Sequence, residues 1–218
     1  MLETIIVEPQ ITPTHSVIWL HGLGADGHDF ELIMPELQPQ TSPSIRFILP
    51  HAPTRQVSLF GGMPARAWFD IFYRDGEYGY VPEDIVAMAT EIEGLIDAQI
   101  ASSILPQNIF LAGFSQGGAM AVYAALTSQK KLGGILGLST FMPIINELFE
   151  KTTHRLPVLI AHGTADDVVP FSSGVALVNA FKEAGFPVTW HSYPIAHGVS
   201  PEEIQDIRVW FEKRISLG

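Results

Sequence analysis

Six short apolar runs recur along the chain, at residues 17–20, 45–49, 109–112, 134–138, 158–161 and 188–193, and stretches of helical spacing separate most of them. Unbroken apolar runs suit strands covered on both faces, and strands that alternate with helices build βα units around a parallel sheet. Between the runs, Ile85, Met88, Ala89, Ile92, Leu95 and Ile96 fall on one helical stripe, and Pro82 stands where a helix can begin without losing a needed N–H donor. Near the end of the sequence Ile204, Ile207 and Phe211 repeat the stripe, after Ser200 as N-cap and Pro201 in the first turn. The expected class is α/β, with a mostly parallel central sheet flanked by helices.

At 218 residues the chain can bury a substantial core but leaves little room for a second domain, so one domain over 1–218 is expected. Hydrophobic residues make up 47% and charged residues 16%, which excludes a disordered chain. A formal charge of −11 repels phosphate backbones and anionic lipid, so nucleic acid is not an expected partner. The absence of cysteine rules out disulfides, a thiolate nucleophile and cysteine zinc sites. The first seven residues read as a strand rather than a signal peptide, and no apolar run reaches the roughly 18–20 residues of a membrane span. A soluble, cytoplasmic protein without stable membrane insertion follows as the expectation.

Residues 50–80 are the least regular part of the sequence, with Gly61, Gly62, three prolines and the aromatic residues Trp68, Phe69, Phe72 and Tyr73. A long loop of this kind is expected to wall a functional site, although the same aromatics could simply cover a sheet edge.

Gly113, Ser115 and Gly117 stand between the apolar run at 109–112 and a helix-like run at 119–126. A sharp strand-to-helix turn lifts a serine hydroxyl clear of the sheet, and glycines on either side remove side chains that would collide. The start of the helix adds N–H groups and a positive dipole end beside a reacting carbonyl. Ser115 is therefore the candidate nucleophile.

A serine hydroxyl needs a base, and the base must be oriented by an acid. In turns of this kind the chain order is serine, acid, histidine, which leaves His154, His162, His191 and His197 downstream. His197 follows the last strand run and precedes the final helix, on a loop at the same strand end as the turn. His191 lies inside a strand and His162 at a strand end, so packed or backbone-bonded roles suit them better. The acid belongs on the loop after residues 158–161, where spacing leaves Asp166 and Asp167 both open. A metal site on His162 and these aspartates lacks a second histidine at ligand spacing, so no metal is expected, and the chemistry needs no cofactor. For a tetrahedral oxyanion two amides are required: Gln116, next to the nucleophile, and one from the glycine-rich turn after residues 17–20, where Leu23 is preferred.

Together these segments resemble the phospholipase/carboxylesterase family that includes the acyl-protein thioesterases. The likeness runs through His21-Gly-Leu-Gly-Ala-Asp-Gly27, Gly61-Gly-Met-Pro-Ala-Arg-Ala-Trp-Phe-Asp-Ile71, Gly113-Phe-Ser-Gln-Gly-Gly118, His162-Gly-Thr-Ala-Asp-Asp-Val-Val169 and the stretch from Tyr193 to His197. It implies an α/β-hydrolase fold without a large lid domain, and a triad of Ser115, Asp166 and His197, so favouring Asp166 over Asp167. The same likeness implies Leu23 and Gln116 as oxyanion donors, Trp68 and Phe69 beside the substrate, and Asp70 as a loop organiser. Residues 57–60, Val-Ser-Leu-Phe, are more apolar than the polar turn usual there. The resemblance implies a carboxylesterase acting on small-molecule or lipid acyl esters, or a thioesterase removing fatty acyl groups from protein cysteines, as a monomer or homodimer. A catalytically silent binding module on the same fold is the remaining class.

Overall fold

The computed structural model describes residues 2–40, 44–142 and 144–216. Its strands are β1 (Thr4–Val7), β2 (His15–Leu20), β3 (Ile45–Pro50), β4 (Thr54–Val57), β5 (Met63–Arg66), β6 (Ile71–Arg74), β7 (Glu77–Tyr80), β8 (Ile109–Phe114), β9 (Gly134–Leu138), β10 (Val158–Gly163) and β11 (Val188–Tyr193). Its α-helices are α1 (Pro82–Ala101), α2 (Gln116–Thr127), α3 (Ile145–Lys151), α4 (Phe171–Glu183) and α5 (Pro201–Ile215). Seven strands form one sheet in the order β1-β3-β2-β8-β9-β10-β11. Only β1 runs antiparallel to its neighbour among these described strands; every other pair is parallel.

The period of two in a strand sends alternate side chains to opposite faces, and the central strands feed two separate cores. Ile18, Leu20, Ile109, Leu111, Ile135, Val158 and Ile160 meet the apolar faces of α1, α2, α3 and α4. Val17, Trp19, Phe110, Ala112, Leu136, Leu159 and Ala161 meet α5 and a short 3-10 helix at Glu31–Leu37. Both faces are thus covered, which explains why these strands read as unbroken apolar runs. The exception is β11, which lies at the sheet edge and is only partly buried along most of its length.

Both sequence-marked helix starts are present. Pro82 opens α1, and the Ser200 side chain caps α5 by accepting a hydrogen bond from the Glu203 N–H at 3.1 Å. Residues 50–80 differ from the expected loop: they form two antiparallel hairpins outside the main sheet, β4 with β5 and β6 with β7. Strands of four residues are too short to show a readable alternation, so their pairing was invisible in the pattern. Among the described residues no large lid is inserted between the strands, and no helix is long and apolar enough to cross a membrane.

Parallel strands align their C-terminal ends on one edge, and the loops leaving that edge carry the groups of interest. Leu20 of β2 is level with Gly113 of β8, Phe114 with Leu138 of β9, Leu138 with Ala161 of β10, and Gly163 with Tyr193 of β11. The segments that follow, at 21–24, 115–116, 139–140, 164–169 and 194–199, therefore emerge side by side.

Candidate active site

The turn from β8 into α2 holds Ser115 at φ 55° and ψ −121°, a backbone conformation that L residues avoid. Such a residue costs of order 1–3 kcal/mol and persists only where its surroundings over-determine it. Three hydrogen bonds do so: the Ser115 N–H donates to Leu138 O at 2.9 Å, Ser115 O accepts from the Ala119 N–H at 3.1 Å, and it also accepts from Thr140 Oγ1 at 2.7 Å. The flanking glycines are steric necessities. A Cβ on Gly113 would strike the Gly117 carbonyl, and one on Gly117 would strike the carbonyls of Leu20 and His21. A Cβ on Gly118 would come within 2.7 Å of Thr140 Cβ, so the third glycine lets the Thr140 side chain reach Ser115.

His197 sits beside this turn, its ring centroid 4.6 Å from that of Phe114. Its Nδ1–H donates to Asp166 Oδ2 at 2.8 Å, a bond that fixes the tautomer with Nε2 free to accept. The other Asp166 oxygen, Oδ1, accepts from the Val168 and Val169 N–H groups at 2.9 and 2.8 Å. Burial alone would push this carboxyl up, but the bonds from His197, Val169 and Val168 outweigh it and hold Asp166 below the ordinary carboxylate range. Asp167 is exposed and takes no part in this set. Spacing left both aspartates open; in the structure it is Asp166 that meets His197.

His162 is fully buried, and its Nε2–H donates to Val169 O at 2.9 Å, the backbone-bonded role expected of it. Because the Val169 N–H binds Asp166, His162 braces the loop that presents this carboxylate. His191 lies on the partly exposed edge strand, 3.4 Å from Asp206 and stacked on Tyr193, away from this arrangement.

The glycine-rich turn after β2 lies against Ser115: a Cβ on Gly22 would be 3.7 Å from Ser115 Cβ. Among the described residues, neither the Leu23 N–H nor the Gln116 N–H has a hydrogen-bond partner in the protein. Two unengaged amides therefore stand on adjacent loops beside a strained serine. The Leu23 turn is held by the bond from the Gly24 N–H to Arg66 O at 2.8 Å. His21 braces it further, with Nδ1–H donating to Gly22 O at 2.7 Å and Nε2 accepting from the Ala52 N–H at 3.0 Å. Burial pulls the His21 imidazole down to about 4, so it is neutral and able to accept that bond at neutral pH.

Trp68 and Phe69, expected beside the substrate, are both buried. The Trp68 side chain is fully buried, packed against the His21 ring at 5.0 Å, and offers no surface to a substrate. Its signal was ambiguous because an indole serves equally as wall and as filling. Phe69, also buried, lines a small apolar cavity with Tyr80, Ala119 and Phe141, beside the first turn of α2. Asp70 organises its loop, accepting from the Ser58 N–H at 2.7 Å and the Ser58 hydroxyl at 2.6 Å. The apolar residues 57–60 find their reason here: Val57 and Leu59 pack with Leu23, and Phe60 approaches Gly24.

A family model described as phospholipase/carboxylesterase matches residues 2–215. Acyl-protein thioesterase 1 of Gibberella zeae is 35% identical over 215 residues, covering 93% of this chain and 91% of its own length. Carboxylesterase SOBER1 of Arabidopsis thaliana is 32% identical, covering 91% of this chain and 90% of its own. Among solved structures, Zea mays acyl-protein thioesterase 2 superposes with a TM-score of 0.83 at 30% identity, covering 99% of this chain and 100% of that one. The Arabidopsis thaliana SOBER1 crystal structure gives a TM-score of 0.84 at 29% identity, covering 92% of this chain and 99% of that one. The fold is accordingly that of the α/β hydrolases.

Proposed function

The chain belongs to the phospholipase/carboxylesterase family, and on that premise we propose that it is a serine hydrolase of carboxylic esters in which Ser115, His197 and Asp166 form the triad. The observation that carries the assignment is the Asp166–His197 hydrogen bond of 2.8 Å beside a serine held at φ 55° on the elbow between β8 and α2. As Ser115 Oγ bonds to the acyl carbon, His197 Nε2 takes its proton, and the Leu23 and Gln116 amides receive the oxyanion. Collapse of the tetrahedral species breaks the bond to the leaving oxygen or sulfur, which takes the proton from His197. Water then attacks the acyl-serine and gives a proton to His197; collapse breaks the bond to Ser115 Oγ, which takes that proton back from His197 as the carboxylic acid leaves. Asp166, ionised at neutral pH, stabilises the imidazolium in both halves.

Substrates are small-molecule or lipid acyl esters; Leu23 and Leu59, with Phe60 near Gly24, and the cavity that Phe69 lines beside the first turn of α2 offer apolar surface for an acyl chain. The relatives named acyl-protein thioesterase favour a second reading, release of fatty acyl groups from protein cysteines. We place the enzyme in the cytoplasm as a monomer or homodimer. A panel of oxygen esters and thioesters of graded acyl length separates the readings. Oxygen-ester preference at every length supports the first, and selective turnover of long-chain thioesters supports the second. Turnover by Ser115→Ala equal to that of the unmodified protein would overturn both.

A further inference from the structure

The Gln116 side chain is bonded at both ends although its backbone N–H alone is needed at the oxyanion. Its Oε1 accepts from the Trp68 N–H at 2.9 Å and its Nε2 donates to Phe69 O at 2.9 Å. From the same tryptophan, Nε1–H donates to His21 O at 2.8 Å, two residues before Leu23. His21 closes the path through its bond to Gly22 O and by packing its ring on the Trp68 indole. Every group in this chain of contacts is buried, with Trp68 at 0%, His21 at 1% and Gln116 at 3% exposure. Water therefore cannot substitute for a lost partner without opening the core.

The path begins at the residue that bears one oxyanion donor and ends beside the residue that bears the other. Loops leaving adjacent strands are free to splay, and sheet register alone does not fix the distance between their amides. Gly117 lets the two backbones touch, because any Cβ there would meet Leu20 O and His21 O. Touching sets how closely they approach but not how their N–H groups are aimed. The aim depends on rotation of each peptide plane, which a buried amide bonded at two points can hold. We infer that the Gln116 side chain and Trp68 form a clamp that sets the mutual aim of the Leu23 and Gln116 amides, making both of them positioning residues for the oxyanion. The inference rests on the triad and oxyanion roles proposed above.

A clamp of this kind acts on the tetrahedral species and not on ground-state binding, since the donors are aimed where the oxyanion forms. The test uses Gln116→Met, which keeps side-chain length and removes both bonds, and Trp68→Phe, which keeps an aromatic ring and removes Nε1–H. Trp210→Phe on α5 is the comparison, because among the described residues its buried Nε1 has no hydrogen-bond partner to lose. Turnover of p-nitrophenyl butyrate and inhibition by an alkyl boronic acid, which forms a tetrahedral adduct on serine, are measured for each.

The clamp predicts that kcat falls roughly 10- to 100-fold in both variants, as for a misplacement of about 1 Å, with KM within about twofold. Affinity for the boronic acid should fall in parallel, and the double variant should be little worse than the poorer single one, because both cut the same path. Trp210→Phe should match the unmodified protein. If Gln116→Met does not fold, Trp68→Phe carries the test alone through the same split between kcat and KM. Folded variants with unchanged kcat and boronate affinity would overturn the clamp. So would equal losses in Trp210→Phe. Failure of the triad reading is distinct, since the unmodified protein would then neither bind the boronic acid nor depend on Ser115.

Discussion

Replacing Asp166 by asparagine keeps the size and shape of the side chain but changes which way hydrogen bonds can run. In the native arrangement Asp166 Oδ1 accepts two backbone N–H groups, from Val168 and Val169, while Oδ2 accepts from His197 Nδ1–H. Asparagine has one acceptor oxygen and one donor amide. Two fixed N–H donors claim the oxygen, so the NH2 group must face His197. Donor then opposes donor unless the imidazole changes tautomer, leaving Nδ1 bare and placing the proton on Nε2. A protonated Nε2 cannot take the proton of Ser115.

The expected loss is about four orders of magnitude in kcat, the figure known for the same substitution in the trypsin triad and equivalent to about 5 kcal/mol of transition-state stabilisation. Both amide bonds to the loop survive, so the fold should hold. Hydrolysis of p-nitrophenyl butyrate at pH 7.5, with thermal melting as the check on folding, reads both quantities. Asp167→Asn, on the exposed neighbour, should leave kcat within about twofold. Retention of a tenth or more of kcat by a folded Asp166→Asn protein would refute the reasoning, and so would a damaging Asp167→Asn.

Burial raises the Glu203 carboxyl to about 8 from its ordinary 4.5, so the folded protein keeps a proton that the unfolded chain gives up as pH rises from about 4.5. The stability lost over that window amounts to about 3 kcal/mol at pH 7; Glu203→Gln should recover it as a melting temperature roughly 6–12 °C higher at pH 7, with little difference near pH 4.5, read by calorimetry. Gly117→Ala drives a Cβ into two backbone carbonyls, so kcat should fall at least about a hundredfold, with about 1–3 kcal/mol of stability lost in urea melts. Gly94→Ala, in α1 with open space around its Cβ position, should gain about 0.5–1 kcal/mol and keep full activity.

The sequence made the sheet and the nucleophile legible for different reasons. The apolar runs of β2, β8, β9 and β10 stood out because helices cover both faces, and burial on both faces leaves no room for polar alternation. Ser115 stood out because a strained elbow needs glycines at fixed offsets, a demand of backbone sterics that leaves a local trace. Groups that act through tertiary contact left none. The meeting of His197 with Asp166 rather than Asp167 depends on how one loop winds, Thr140 reaches Ser115 from the loop after the next strand, and Gln116 reaches across to residues 68 and 69. Trp68 looked like a wall of the site because an aromatic residue beside a catalytic loop carries the same letter whether it faces the cleft or the core. His21 and His162 show the same ambiguity, each a histidine at a strand end that serves by holding backbone.

The nucleophile itself is the claim on which the rest depends, and a covalent adduct locates it most directly. After the protein reacts with an alkyl fluorophosphonate, peptide mass spectrometry should find one adduct, on Ser115, and Ser115→Ala protein should remain unlabelled and inactive while folded. An adduct on another serine would contradict the account. The most informative alternative is Ser139, just past the neighbouring strand, whose buried hydroxyl has no partner among the described residues. Undiminished labelling of Ser115→Ala would contradict it equally.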